Sequence, residues 1–171
     1  MHRSYYKKMT KLSSRLLFLS LSLNYYFFTC LAMSRKNITT DEFSLLAFKS
    51  SITLDPYDLM VHNWSTSSSL CNWVGVTCDE QHGRVHALNL SNMGLKGTIS
   101  PQLGSLSFLV HLDLQGNAFT GELPQSLFRL HRLKMLNLSN NMLSGTIPQT
   151  ISNFFFSLEE IHLAHNSFSG I

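Results

Sequence analysis

The chain has 171 residues, 44% of them hydrophobic and 13% charged, which is apolar material enough for one folded domain. Its formal charge of +3 is unevenly placed: Arg3, Lys7, Lys8, Lys11 and Arg15 all precede Leu16, while from Met33 onward eight Lys and Arg stand against ten Asp and Glu. Beyond the N-terminus the chain therefore lacks the basic face that nucleic-acid binding requires.

The basic N-terminus leads into LLFLSLSL, Leu16 to Leu23, and then NYYFFTCLAMS. A charged stretch, an apolar stretch and small residues at Cys30 and Ala32, or at Ala32 and Ser34, predict a secretory signal over 1–34. The alternative is an uncleaved signal anchor, since Leu16 to Met33 is just long enough to span a bilayer. The positive flank stays cytoplasmic either way, so both readings place Ile38 onward outside the cytosol. Thr39-Thr40-Asp41-Glu42 then offers a capping box, Thr39 with Glu42. It predicts a helix with Leu45, Phe48 and Ile52 on one face, Leu46 beside them, and its end at Asp55-Pro56. Asn63-Trp64 and CNWVGVTC, Cys71 to Cys78, follow.

From Leu88 the chain repeats the pattern L-x-L-x-x-N-x-L-x-G-x-I-P. The leading apolar residue recurs at Leu88, Leu112, Leu136 and Ile161, in steps of 24, 24 and 25. The second is Leu90, Leu114, Leu138 and Leu163. The asparagine position holds Met93, Asn117, Asn141 and Asn166, and the glycine position Gly97, Gly121, Gly145 and Gly170. The extra residue of the last step falls in Asn153–Ser157. L-x-L alternation predicts one short strand per copy with both leucines inward, and such strands bury their apolar face only by stacking on the next copy. Asn117, Asn141 and Asn166 sit where the chain leaves the strand, where an amide that both donates and accepts can satisfy turn backbone in a repeating ladder.

With these columns filled, the chain resembles plant-type extracellular leucine-rich-repeat proteins from about Asp41 to Ile171. The helix, the tryptophan and the C-x6-C pair resemble the N-terminal cap of plant leucine-rich-repeat receptor-like serine/threonine kinases. The resemblance implies an α/β solenoid: a parallel β-sheet on a concave face, a helical disulfide-bearing cap over 39–80, and about four repeats over 81–171, the last incomplete. It implies a Cys71–Cys78 disulfide, Cys30 being lost with the signal; zinc is the rival use of two cysteines, without a nearby pair of histidines to complete it. Asn37, Asn63, Asn89 and Asn137 head N-x-S/T sequons, the candidate glycosylation sites of a secreted chain.

The sequence holds no nucleophile elbow, phosphate-binding loop, zinc-protease or kinase signature, so no catalytic residue, metal or cofactor is expected. The functional surface expected of such a sheet is its outward strand face. His111, Asp113, Gln115, Met135, Glu160 and His162 are its candidate binding residues, and Asn89, Asp113, Asn137 and His162 form one column across it. The expected partner is a protein or peptide ligand, a co-receptor, or both, with membrane contact only through a signal anchor or a later spanning segment. Two functions are expected from the resemblance: the N-terminal part of a receptor-like kinase ectodomain in cell-surface signalling or defence, or a self-contained secreted repeat protein acting as decoy, co-receptor-like partner or inhibitor of an extracellular enzyme. The last copy, HNSFSGI, lacks its proline and no atypical capping repeat follows, so the array is expected to continue.

Overall fold

The computed structural model describes residues 39–147 and 158–169. The signal segment 1–34, Asn37, Pro148, the Asn153–Ser157 insertion and Gly170-Ile171 lie outside them.

Helix α1 covers 39–50 and buries Leu45 and Phe48 completely. Thr39 is itself helical, so the reading of Thr39 as the capping residue is corrected. Its end also differs from expectation. The helix stops at Ser50, and Ile52, predicted on its apolar face, belongs instead to strand β1, Ile52–Leu54. Two causes are visible. Ser51 turns the chain, its N–H donating to the Phe48 carbonyl at 2.9 Å, and the β-branched pair Ile52-Thr53 then finds a strand to pair with. Asp55 does not end α1; its Oδ2 accepts from the Met60 N–H at 2.8 Å and holds the start of α2, Leu59–Asn63.

The apolar centre of the cap is aromatic. Trp64 and Trp73 stack at 5.3 Å, and Phe48 lies 6.4 Å from Trp64 and 5.9 Å from Phe119 in the second repeat. Both indole N–H groups are satisfied, Trp64 by the Val74 carbonyl and Trp73 by Ser68 Oγ and the Ser65 carbonyl. Cys71 and Cys78 are bonded, with Cα atoms 5.5 Å apart. Replacing both by serine is expected to lower stability by roughly 2.5 kcal/mol through the freed unfolded chain. A urea titration of the variant beside the parent measures this.

Two sheets run through the repeats. The first orders β2 (Val76–Cys78), β3 (Val85–Asn89), β5 (His111–Asp113), β7 (Met135–Asn137) and β9 (Glu160–His162). The second orders β1, β4 (Lys96–Thr98), β6 (Ala118–Glu122), β8 (Met142–Thr146) and β10 (Ser167–Ser169). The strands are parallel except β1 and β2, which the cap lays antiparallel on β4 and β3. The cap thus closes one edge of both sheets, which would otherwise offer unpaired backbone. Gly97 permits the β1–β4 approach: at φ 152° it has no side chain, and a Cβ there would stand 2.3 Å from the Ser51 carbonyl oxygen. Short 3-10 helices at Pro101–Ser105 and Gln125–Arg129 bury Leu103 and Leu127. The paired leucines of the first three copies, Leu88 to Leu138, are all buried between the sheets. One strand per copy was expected, so the second sheet is an addition.

The three asparagines stitch the copies together. Asn141 Oδ1 accepts from the Phe119 N–H at 3.0 Å, while its Nδ2 donates to the Leu114 carbonyl at 2.9 Å and the Leu138 carbonyl at 3.1 Å. Asn117 does the same with Leu95, Leu90 and Leu114, and Asn166 with Leu143, Leu138 and Leu163. Successive rungs share an acceptor: the Leu114 carbonyl receives both Asn117 and Asn141, and the Leu138 carbonyl both Asn141 and Asn166.

Candidate functional site

In a strand whose inward residues are leucines, the alternate residues must face out. Parallel pairing places them in rows: Ala87 opposite His111 opposite Met135 opposite Glu160, and Asn89 opposite Asp113 opposite Asn137 opposite His162. The first row, with Asn89 and Asp113 of the second, borders an open depression of about 430 Å³, which also touches Thr77 on β2 and Lys134 and Glu159 just before β7 and β9; Asn137 and His162 are not in its lining.

Its charges are partly matched. Lys134 Nζ donates to Glu159 Oε1 at 2.6 Å, and His162 Nε2 lies 3.6 Å from Glu160 Oε2; all four side chains are more than half exposed. The His86 and His111 rings meet edge to face at 5.8 Å. Met135 supplies apolar surface in the middle of this polar rim.

The second row serves the backbone as well. Asn89, Asp113 and Asn137 each accept, at their Oδ1, the N–H of the residue two positions on: Ser91 at 3.1 Å, Gln115 at 3.0 Å and Ser139 at 3.2 Å. Each therefore ends its strand with a side-chain turn, a frequent use of Asn and Asp. Gln115 is half-buried, its Oε1 accepts from Asn137 Nδ2 at 2.7 Å, and it does not line the depression. Ser139, the next alternate residue after Asn137 and outward by the same rule, is buried. Thr77, Lys134 and Glu159 escaped the alternation rule because Thr77 belongs to the cap and the other two precede their strands; Lys134 and Glu159 share one repeat position with Val110 and with His86, which lies inside β3.

A second cluster fixes this face to the cap. Arg84 is bidentate to Asp41, Nε to Oδ2 at 2.8 Å and Nη2 to Oδ1 at 2.7 Å, and Asp41 Oδ2 also accepts the Val85 N–H at 3.1 Å. Hydrogen bonding of its guanidinium to the Asp41 carboxylate raises the Arg84 pKa above its ordinary value, outweighing the opposing effect of burial. Nearby, Asp79 accepts from the His82 ring at 2.7 Å and from the backbone of His82 and Arg84. Desolvation opposes them, but together these bonds hold its carboxyl below the usual value near 3.8. A depressed carboxyl stabilises the fold above its unfolded pKa, and that contribution is lost as pH falls through the lower folded value.

Residues 38–79 match the leucine rich repeat N-terminal domain, and residues 108–130 and 132–154 each match a leucine rich repeat. The chain is 42% identical over 123 residues to the LRR receptor-like serine/threonine-protein kinase EFR of Arabidopsis thaliana, covering 71% of this chain and 12% of that protein. It therefore spans about an eighth of that relative's length. Among solved structures it resembles the Arabidopsis receptor kinase HAESA in complex with the peptide hormone IDA and the co-receptor SERK1, with a TM-score of 0.66, 29% identity, 75% of this chain and 22% of that chain. It also resembles the BIR2 ectodomain of Arabidopsis thaliana, with a TM-score of 0.55, 31% identity, 76% of this chain and 82% of that chain. By its cap, its two-sheet repeats and these matches, the chain belongs to the plant leucine-rich-repeat proteins and corresponds to the N-terminal part of a receptor-like kinase ectodomain.

Proposed function

We propose that this chain is an extracellular recognition module whose first sheet binds a peptide or protein with its outward face. The observation that carries the reading is the depression crossing β2, β3, β5, β7 and β9, where His111, Asp113, Met135 and Glu160 stand in register on a scaffold whose other repeated residues are committed to core or backbone. The similarity to the HAESA ectodomain, which is complexed with a peptide hormone and a co-receptor, supports this chemistry of partner. In a receptor-like kinase such binding outside biases a kinase inside. Among the described residues no helix is long and apolar enough to cross a membrane.

The test is a peptide selection on the chain followed by alanine variants. Substituting His111, Met135 or Glu160 is expected to weaken selected peptides about tenfold or more, in keeping with a few residues dominating an interface. Thr98→Ala and Thr120→Ala on the second sheet are expected to change nothing. Equal loss from both sets would sink the reading. A second reading, a recognition module that docks onto another ectodomain, is favoured by the likeness to the BIR3–SERK2 complex of Arabidopsis thaliana, at 30% identity and a TM-score of 0.53. It predicts that a receptor ectodomain binds and that peptides do not.

Glycans bear on both readings. Asn89 is exposed and borders the depression, whereas Asn137 is half-buried with its Nδ2 turned to Gln115. Asn63 is half-buried too, its Oδ1 accepting from the Val74 N–H. We expect Asn89 to carry sugar at higher occupancy than Asn137, two strands and about 10 Å away, and to shield that side of the face. Glycopeptide mass spectrometry measures this; an empty Asn89 contradicts it.

A further inference from the structure

Arg84, Phe108 and Arg132 hold one position of successive copies, 24 residues apart. They stack, with the Arg84 guanidinium 4.7 Å and the Arg132 guanidinium 4.2 Å from the Phe108 ring centre. The two cations differ in every other respect. Arg84 is buried and spent on Asp41. The Arg132 side chain is exposed and makes no hydrogen bond or ion pair among the described residues; the same holds for the side chain of exposed Arg129. All ten Asp and Glu of the chain are described residues, so no acidic side chain of its own neutralises either. His131 lies exposed between them. Lys134, two residues further on, is matched by Glu159.

Stacking on Phe108 sets the plane of the Arg132 guanidinium and leaves its N–H edge open to a two-oxygen acceptor. Two residues on, Lys134 lines the depression, where it is matched by Glu159 while Asp113 and Glu160 are uncompensated by Lys or Arg. A uniform polyanion would meet repulsion there. A peptide of mixed charge would not.

We propose that Arg129, His131 and Arg132 form an anion anchor at the rim of the strand face, which takes the acidic end of a peptide whose cationic part lies over Asp113 and Glu160. This rests on the reading of the first sheet as a peptide-binding face and names the charge pattern of its ligand.

The probe is a labelled block peptide, lysines followed by glutamates, with all-lysine and all-glutamate peptides and polygalacturonate beside it, read by stopped-flow anisotropy on the full chain. The exposed double variant Arg129→Ala/Arg132→Ala is expected to slow association of the block peptide roughly tenfold at low salt, to flatten its salt dependence and to leave the all-lysine peptide unchanged. Arg132→Lys, which keeps the charge and loses the planar fork, is expected to fall between. The proposal is overturned if the double variant binds the block peptide as the parent does, if the parent binds none of the peptides, or if polygalacturonate or all-glutamate binds as well as the block peptide. Met135→Ala separates the two ideas. If it weakens the block peptide while the arginine variant does not, the peptide-binding face stands and the anchor falls; if neither variant matters, both fall.

Discussion

Replacing Asp41 by alanine is expected to destabilise the protein by about 3–5 kcal/mol, because it strands the Arg84 guanidinium in the interior. Asp41 is 1% exposed and the Arg84 side chain 6%, so water does little to replace the lost carboxylate. The Val85 N–H loses an acceptor in the same step. The effect should be nearly independent of salt, since a buried pair is poorly screened. The double variant Asp41→Leu with Arg84→Met should recover most of the loss, as apolar replacements of buried ion pairs do in other proteins. Urea unfolding of the two variants beside the parent decides it. A single-variant loss below about 1 kcal/mol, the range of exposed pairs, would mean that the pair is solvated in solution.

Asn141→Ala should cost about 2–4 kcal/mol. One buried amide is removed, and the Phe119 N–H is left without an acceptor in the core, a penalty of about 1–3 kcal/mol for that group before the loss of the donor to Leu114 and Leu138. Those two carbonyls keep a second partner in the neighbouring rungs, Asn117 and Asn166, which moderates the loss. The same change at half-buried Asn117 should cost less. The ordering of the two is measured by thermal unfolding; Asn117→Ala proving the more harmful would contradict the ladder's geometry.

These two sites differ in how far the sequence announces them. The asparagines recur at the repeat period beside the L-x-L pair, and the chemistry of an amide at a turn says what they do. The Asp41–Arg84 pair is separated by 43 residues and belongs to no period, so only the folded chain brings it together. The strand rows of the first sheet were legible because alternation fixes which face each residue takes, and repeat spacing then fixes the register. The second sheet was hidden by its own composition. GNAFTGELP reads as turn chemistry, yet Phe119 and Gly121 there point one way while Ala118, Thr120 and Glu122 point the other. Its strands form because each copy pairs with the next, a tertiary cause that glycine and proline in a single copy conceal. Ile52 fails for the same reason: local spacing favoured the helix face, and pairing with β4 prevailed.

The candidate binding residues divide similarly. His111, Met135 and Glu160 are outward by alternation and line the depression. Gln115 is outward by the same rule, but its side chain is held by Asn137, a cross-strand contact that alternation does not report. Lys134, Glu159 and the Arg132–Phe108 stack lie one to three residues before the strands, where the loop climbs onto the sheet, and the strand rule is silent there.

The central claim is that recognition belongs to the outward face of the first sheet, while the second sheet, the ladder and the cap hold that face in place. Hydrogen–deuterium exchange with and without a selected peptide tests it directly. The account predicts new protection confined to β5, β7, β9 and the loops leading into them, with β4, β6 and β8 unchanged. Protection centred on the second sheet, or on the exposed cap residues Tyr57 and Val61, would contradict it.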